Sequence, residues 1–225
     1  MVKTLVVIDN VSRSFLLGSI RISALINASC AVNRGDRIAI MGPSGSGKST
    51  LLALMAELDK PTEGHVFWPN LMTAGKLRPL HIGLAFQSAS LVPPLTVVEN
   101  VEIPLLILGE TKNKRDRAMV ALDQVGLAGL ADRLPEELSG GQAQRVGVAR
   151  AIVANPGLIL ADEPTGQLDQ TTGQNLMTTL LAHSGKTGAA LVIATHDPAV
   201  ARQMKTVWHT SHGRLTTSQS EILQS

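Results

Sequence analysis

A glycine-rich segment, GPSGSGKS at residues 42–49, has the residue types and spacing of a phosphate-binding loop. Glycines let consecutive backbone N–H groups curl around phosphate oxygens. Lys48 is then expected to reach the β- and γ-phosphate oxygens, and the Ser49 hydroxyl to ligate Mg²⁺. Because the apolar run DRIAIM precedes the loop, a strand should lead into it and a helix should follow. The pattern predicts a nucleotide site whose residues are Gly42, Pro43, Ser44, Gly45, Ser46, Gly47, Lys48, Ser49 and Thr50.

Two adjacent acids, Asp162 and Glu163, end the apolar run LILADE. A carboxylate at a strand end beside a phosphate loop can hold Mg²⁺ through its water shell, and we assign this role to Asp162. The next carboxylate can orient or deprotonate an attacking water, and we assign that role to Glu163. Many buried strands end in two acids, so both assignments depend on the phosphate loop earlier in the chain.

Two further polar side chains also end apolar runs. Gln87 ends GLAFQ, and His196 ends LVIATH. Parallel strands present their carboxyl ends at one edge of a sheet, so both side chains should lie near Glu163. We expect His196 to hydrogen-bond the terminal phosphate, and the Gln87 amide to contact Mg²⁺ or the attacking water. Taken alone, either residue would be an ordinary surface residue.

A parallel sheet is the element that can position these residues. The runs at 36–41, 157–162 and 189–195 are short, continuous and apolar, which is typical of strands buried on both faces. Each run leads through a polar cluster into a segment with helical spacing. This alternation indicates an α/β fold.

A second sheet is predicted near the amino terminus. The segments TLVVI and SIRISALINASCAV favour strands. We expect them to pair with residues 64–68 and 81–86 in a smaller, partly antiparallel sheet. The late segment TVWHTSHGRLTTSQ predicts a hairpin that turns near His212 and Gly213.

Residues 94–155 have helical rather than strand periodicity. Apolar residues recur at helical spacing over 97–106, 117–125 and 141–153. Because strand-like runs lie on both sides of this region, it is predicted to be a helical subdomain inserted into a single domain spanning 1–225. The nucleotide-binding core and its β subdomain then comprise residues 1–93 and 156–225.

Composition argues against several classes of protein. A formal net charge of +2 is too balanced for a nucleic-acid-binding surface, and the basic run KNKRDR contains an acid and leads into a helical pattern. Hydrophobic residues make up 44% of the chain, but each apolar run is far shorter than the roughly 20 residues of a membrane-spanning helix. We therefore expect the chain itself to be soluble. The single cysteine, Cys30, excludes an internal disulfide and fits a small buried side chain in a reducing compartment.

The order of the motifs resembles that of the ATP-binding cassette family. GPSGSGKST, Gln87, LSGGQ, LILADE, GQLD and His196 follow one another along nearly the whole chain. The segments FQSASLVPPLTVVENVEIPLL and ADRLPEELSGGQAQRVGVARAI are most similar to ATPase subunits of lipoprotein-release and macrolide-exporter systems. The resemblance implies a P-loop NTPase core with a mainly parallel sheet, an N-terminal antiparallel β subdomain and an inserted helical subdomain. It also implies ATP and Mg²⁺ as cofactors, with Ser49, Gln87 and Asp162 around the metal.

The LSGGQ segment implies a second copy of the chain. In this family its helix start faces the γ-phosphate held by the other subunit, so two ATP molecules are enclosed in a head-to-tail dimer. The positive end of a helix stabilises an anion, which gives this arrangement a physical basis. The resemblance assigns nucleotide contacts to Ser139, Gly140, Gly141, Gln142 and Asp169, and it places Leu168 and Asp169 in the loop that crosses the dimer interface.

Three further positions are interpreted through the resemblance. Phe15 lies where the family places an aromatic ring that stacks on adenine, and the alternative is a core phenylalanine. Gln167 stands where the family often has asparagine. The segment between Gly64 and Phe86 is shorter than is usual in the family, which predicts a trimmed antiparallel sheet.

An integral membrane permease subunit is the other partner that the resemblance implies, and it places the chain in the cytoplasm on the inner face of the cell membrane. A short cytoplasmic helix of that subunit should dock on the segment after Gln87. Leu91 and Val92 precede two prolines there, so they should lie on a loop and be partly exposed. The transported substrate is not encoded in this chain.

Other functions remain open at the level of sequence. The motifs fit an importer subunit as well as an exporter subunit. ATPases of DNA repair or chromosome structure share this core but need a long coiled coil between its halves, and the sequence has none. Translation-associated ATPases normally carry two cassettes and a charged linker, whereas this chain has one cassette.

Overall fold

Nine strands in two sheets lie within residues 3–71 and 80–217, the part of the chain that the computed structural model describes. In chain order they are β1 (Thr4–Leu17), β2 (Ile20–Asn33), β3 (Arg37–Met41), β4 (Glu63–Phe67), β5 (Ile82–Ala85), β6 (Leu158–Asp162), β7 (Ala190–Thr195), β8 (Thr206–Ser211) and β9 (Arg214–Thr216).

Helices connect these strands. In chain order they are α1 (Lys48–Met55), α2 (Val97–Ile107), α3 (Lys114–Gln124), α4 (Gly140–Ile152), α5 (Gln170–Thr187) and α6 (Pro198–Ala201). Two short 3₁₀ turns, Ala128–Leu130 and Pro135–Glu137, lie between α3 and α4.

The larger sheet has the order β5-β6-β7-β3-β8-β9, and its first five strands are parallel. Every residue of β7 is buried, and β6 is buried up to its last residue. Such burial requires cover on both faces, which explains why these strands read as continuous apolar runs. The predicted strands at 36–41, 157–162 and 189–195 are confirmed.

The smaller sheet, in the order β2-β1-β4, is antiparallel. It confirms the predicted N-terminal β subdomain and its pairing with residues 64–68. The prediction that 81–86 joins this sheet is wrong, because β5 pairs with β6 in the parallel sheet. Close packing explains the difference: a β-carbon at Gly83 would lie 2.0 Å from the carbonyl oxygen of Ala151, so α4 lies directly on β5. The prediction of a trimmed sheet falls partly on residues 72–79, outside the described residues.

The three predicted helices within 94–155 are confirmed as α2, α3 and α4, to within a few residues at their ends. Their apolar faces share one buried cluster with residues of β6, β7 and α5. Thr96 begins α2 with a capping box, since its side chain accepts from the N–H of Glu99 while the Glu99 carboxylate accepts from the N–H of Thr96. The boundaries of the helical subdomain stay a prediction.

Two local predictions are also confirmed. Strands β8 and β9 form an antiparallel hairpin whose turn contains His212 and Gly213, both with positive φ. Cys30 is buried, and burial raises the pKa of its thiol to about 12. Within the described ranges, no helix combines the length and apolar character needed to cross a membrane.

Asn100 shapes the loop that leads from β5 to α2. It is fully buried, its Oδ1 accepts from the backbone N–H of Val92 at 2.8 Å, and its Nδ2 lies 2.9 Å from the carbonyl oxygen of Leu95 and 3.0 Å from that of Thr96. The amide thus bonds the N–H of Val92 and the carbonyl oxygen of Leu95, which lie in the loop outside any strand or helix.

Replacing Asn100 with alanine should lower the free energy of unfolding by about 2–4 kcal/mol, because the N–H of Val92 and the carbonyl oxygen of Leu95 lose their bonds to this buried amide. Chemical denaturation monitored by circular dichroism measures this change. Asn175→Ala, at an exposed position of α5, is the matched control and should change the free energy of unfolding little. Equal effects of the two substitutions would contradict the role given to Asn100.

Candidate functional site

The predicted phosphate loop joins β3 to α1, and its backbone depends on glycine at two positions. Gly47 has φ of +105°, and a β-carbon there would lie 2.3 Å from the carbonyl oxygen of Ala24. A β-carbon at Gly42 would lie 2.2 Å from the carbonyl oxygen of Thr210. A side chain at either position would push the loop away from these neighbours. Glycine at both positions therefore allows the tight turn.

Lys48 is buried at the start of α1 and lies inside the curl of the loop. Its ammonium group donates to the carbonyl oxygens of Gly42 at 2.7 Å and Pro43 at 3.0 Å. Ser46 fixes the loop from another side, since its hydroxyl lies 2.7 Å from the hydroxyl of Thr210. A buried cation and a helix N-terminus at the same place favour an anion such as a phosphate.

Asp162 ends β6 beside this loop. Burial raises the pKa of its carboxyl above the usual value, a hydrogen bond from Ser49 lowers it, the negative charge of Glu163 raises it, and the positive charge of Lys48 lowers it. The largest effect is burial, so the ionised carboxylate is under-solvated. A nearby cation would offset that cost.

Glu163 directly follows β6 and is buried with an unusual backbone. Its φ is +47°, a region that residues other than glycine enter only when their surroundings hold them there. Its carboxylate accepts from the hydroxyl of Thr195 at 3.2 Å, and its Oε1 lies 2.8 Å from Nδ1 of His196. Both partners lie at the end of β7, the neighbour of β6, so the predicted proximity of Glu163 and His196 is observed.

A pocket of about 230 Å³ brings residues of the phosphate loop together with the predicted polar residues at the ends of β5, β6 and β7. Those that line it are Ser44, Gly45, Lys48, Ser49, Gln87, Asp162, Glu163 and His196. The remaining predicted residues of the loop adjoin these in the chain without lining the pocket: Gly42, Pro43, Ser46, Gly47 and Thr50.

Gln144, Gly166 and Gln167 also line the pocket, and the sequence reasoning did not assign them to it. Gln144 donates to the carbonyl oxygen of Glu163 at 2.6 Å and accepts from the N–H of Gln167 at 3.2 Å. A signal was present, because Gln144 shares an otherwise small or apolar helix face with Gly147 and Val148. A polar side chain on such a face needs buried partners.

The LSGGQ residues lie elsewhere on the surface. Ser139 caps α4, since its hydroxyl accepts from the N–H of Gln142 at 3.2 Å and its own N–H donates to the Gln142 side chain at 2.8 Å. Gly140 is exposed and begins the first turn, followed by Gly141. None of these four residues lines the pocket around Lys48. Their exposed helix start is separate from the phosphate loop of the same chain.

The first turn of α4 packs closely on the loop at 166–168. A β-carbon at Gly141 would lie 3.1 Å from the carbonyl oxygen of Gln167, whereas one at Gly140 would meet only the end of the Gln167 side chain, which can move aside. Asp169, next in the chain, caps α5 by accepting from the N–H and the hydroxyl of Thr172. These hydrogen bonds lower the pKa of its carboxyl below the usual value.

Phe15 lies on β1 with 41% of its surface exposed, so the alternative of a core phenylalanine is wrong. The guanidinium of Arg13 lies 4.3 Å from the centre of its ring and forms an ion pair with Asp59. The ring does not line the pocket around Lys48. Its role as the adenine platform stays a prediction.

Leu91 and Val92 differ in burial. Leu91 is half-buried and packs against the apolar cluster of the helices, whereas Val92 is 39% exposed. Leu91 is therefore the less suitable of the two for probing a docking surface. Val98, Val101 and Leu105 are buried, as their helical spacing predicts.

Comparison with known proteins gives consistent matches. A family model described as ABC transporter matches residues 25–166. The uncharacterized ABC transporter ATP-binding protein MJ0796 of Methanocaldococcus jannaschii is 43% identical, and the match covers 87% of this chain and 88% of that protein. The lipoprotein-releasing system ATP-binding protein LolD of Legionella pneumophila is 42% identical, with coverage of 90% and 93%.

Solved structures agree with this result. A dimeric structure of the MJ0796 cassette in a post-hydrolysis state, bound to ADP and Pi, superposes with a TM-score of 0.86 at 38% identity. The match covers 95% of this chain and 98% of that chain. A second dimeric structure of MJ0796 superposes with a TM-score of 0.87.

Replacing Glu163 with glutamine tests its assignment as the general base. Glutamine keeps the shape of the side chain but cannot accept the proton of water, so steady-state ATP hydrolysis should fall by about 10²–10⁴-fold. Binding of a fluorescent ATP analogue should remain close to that of the wild type.

Glu57→Gln, which changes an exposed carboxylate after α1, is the control and should hydrolyse ATP normally. Hydrolysis by the Glu163→Gln variant at the wild-type rate would show that another group takes the proton.

Proposed function

The chain belongs to the ABC transporter family as an ATP-binding ATPase subunit, and from this premise we propose how it works: two copies enclose two ATP molecules, and their closure and hydrolysis drive a separate membrane subunit. One observation carries the proposal. The pocket unites the phosphate loop with Asp162, Glu163 and His196 but contains none of the LSGGQ residues. A nucleotide that faced the start of α4 would therefore have to be held by another copy.

The phosphate loop fits the β- and γ-phosphates of ATP. The ammonium group of Lys48 is held by carbonyl oxygens that carry only partial charge, and phosphate oxygens would be stronger acceptors. Phe15 would stack on the adenine, since its ring is exposed and stacking needs only a flat aromatic face.

Mg²⁺ fits the hard oxygen donors beside the loop. Ser49, Gln87 and Asp162 line one pocket, and burial leaves the Asp162 carboxylate in need of a positive charge. These three residues would hold the ion, directly or through its water shell. When bound, it would neutralise charge on the phosphate oxygens.

Glu163 and His196 would have different roles in hydrolysis. The Glu163 carboxylate would orient a water molecule and accept its proton, while Thr195 and His196 hold the carboxylate in place. Nδ1 of His196 contacts the Glu163 carboxylate, so Nε2 is the ring nitrogen that would face the terminal phosphate.

In the dimer, the N–H groups of Gly140 and Gly141, with the side chains of Ser139 and Gln142, would face the γ-phosphate on the partner subunit. The dimeric MJ0796 structures support this assembly, because the likeness covers almost the whole of both chains. Asp169 and Leu168 would lie at the interface, next to the α4 start on which their loop packs.

The membrane subunit would dock near the loop between Gln87 and α2. Phe86 and Val92 expose apolar surface there, whereas Leu91 anchors the loop to the core. The name of the LolD relatives supports a role in a lipoprotein-releasing type of system over import. This partner would hold the chain at the inner face of the membrane.

Assembly can be tested by light scattering on the Glu163→Gln variant, which should bind ATP without consuming it. We expect monomers or weak dimers without nucleotide, and dimers with Mg-ATP, because ATP binds the closed form preferentially. Adding Ser139→Arg should prevent dimerisation by placing bulk and charge at the α4 start.

Thr178→Arg, at an exposed position of α5, is the matched control and should dimerise normally. An unchanged mass with Mg-ATP, or normal dimerisation with Ser139→Arg, would contradict the enclosed-nucleotide dimer.

Docking can be tested with Val92→Asp. Because Val92 is exposed, the variant should fold and keep the basal ATPase activity of the isolated chain. It should lose copurification with the membrane subunit from detergent-solubilised native membranes, since a carboxylate would have to be desolvated in the apolar contact.

Val120→Asp is the control, because Val120 is also exposed but lies on α3. It should copurify with the membrane subunit as the wild type does. Retention of the membrane subunit by the Val92→Asp variant would place the docking surface elsewhere.

A further inference from the structure

Gln144 is a buried polar residue of α4 to which the proposed reaction gives no role. It is 2% exposed, and both ends of its amide are bonded to the segment that carries Glu163. Nε2 donates to the carbonyl oxygen of Glu163 at 2.6 Å, and Oε1 accepts from the N–H of Gln167 at 3.2 Å. The Gln144 side chain thus hydrogen-bonds both the residue that carries the catalytic carboxylate and the loop at 166–168.

The backbone at Glu163 is where such support matters. Its φ of +47° is unfavourable for glutamate and persists only if neighbouring groups hold it. Its N–H donates to the carbonyl oxygen of Ala194 at 2.9 Å, and its carbonyl oxygen accepts from Gly166 at 3.1 Å as well as from Gln144. Of these contacts, the bond from Gln144 is the one that comes from α4.

The loop at 166–168 also packs against the first turn of α4, where Gly140 and Gly141 have no side chains. Gln144 follows these glycines by about one helical turn, so it reaches the same loop from the same face. The amide and the glycine contacts together join the α4 start to the Glu163 segment.

We propose that Gln144 is a positioning residue for ATP hydrolysis: its amide fixes the backbone of Glu163 and ties the loop at 166–168 to the start of α4. The carboxylate that activates water and the helix start that faces the partner's nucleotide are then held in one unit. This role rests on the proposed function of Glu163 as the general base.

Two substitutions separate this role from simple packing. Gln144→Met keeps the length of the side chain but removes both hydrogen bonds. Gln144→Glu keeps the acceptor for the N–H of Gln167, and it can donate to the carbonyl oxygen of Glu163 only when its carboxyl is protonated. Burial raises the pKa of such a carboxyl, which brings its titration toward neutral pH.

The measurement is steady-state ATP hydrolysis between about pH 6 and pH 9, with nucleotide affinity measured separately; burial moves the pKa of a carboxyl upward, toward this range. With Gln144→Met, kcat should fall by about 10- to 100-fold, the cost of a misplaced catalytic group, while KM and the affinity for a fluorescent ATP analogue change little. With Gln144→Glu, kcat relative to the wild type should rise as the pH falls. Ile152→Val, further along α4, is the control for loss of packing and should keep kcat.

Each outcome decides the matter. A loss of kcat with Gln144→Met, partly restored at low pH in Gln144→Glu, supports the positioning role. Wild-type kcat in Gln144→Met, or a pH-independent ratio in Gln144→Glu equal to that in Gln144→Met, would overturn it. If the wild-type chain itself did not hydrolyse ATP, the proposed function would fail instead, which is a separate result.

Discussion

The adjacency of three parallel strands determines the rest of the site. β7 lies between β3 and β6, and the pairing of Met41 with Thr195 and of Asp162 with Ala194 brings their carboxyl ends to one edge. The residues at or just after these strand ends begin the phosphate loop, supply the carboxylates of Asp162 and Glu163, and supply His196. Segments far apart in the chain therefore meet only if this order and register are kept. The continuous burial of β6 and β7 provides the hydrophobic stabilisation that keeps them.

The site residues that the sequence revealed are those whose chemistry depends on residue type and local spacing. The glycines and lysine of the phosphate loop, and the acids at the end of β6, are recognisable because each needs only its own strand and turn. For Gln144, the helix face indicates that the amide needs buried partners but does not identify them, because they are backbone groups of Glu163 and Gln167, 19 and 23 residues away. Backbone partners leave no signature in side-chain types.

The fold shows the same division. Hydrophobic patterns predict the buried strands β6 and β7 and the helices of 94–155. They do not predict which of the two sheets residues 81–86 join. A four-residue apolar strand fits either sheet. Its place in the larger sheet is determined by β6, which pairs with it, and by α4, which packs on it; both lie about 70 residues later in the chain. Leu91 and Val92 are similar neighbours in sequence, and the buried amide of Asn100 helps determine how their loop turns. These choices are tertiary, so local patterns do not contain them.

Helix α4 is the element that contacts both loops of the proposed mechanism. Arg150 donates to the carbonyl oxygens of Ala89 at 2.5 Å and Ser90 at 3.1 Å, in the loop that would meet the membrane subunit. Gly147 lies inside α4, where glycine costs about 1 kcal/mol relative to alanine. A β-carbon there would lie 3.6 Å from Ala89, an ordinary contact, so space alone does not require glycine. The loop that contains Ala89 and Ser90 lies against the later turns of α4, and the Glu163 segment is hydrogen-bonded to Gln144 in its earlier turns. Helix α4 therefore joins the two loops by side-chain hydrogen bonds, from Gln144 near its start and from Arg150 near its end.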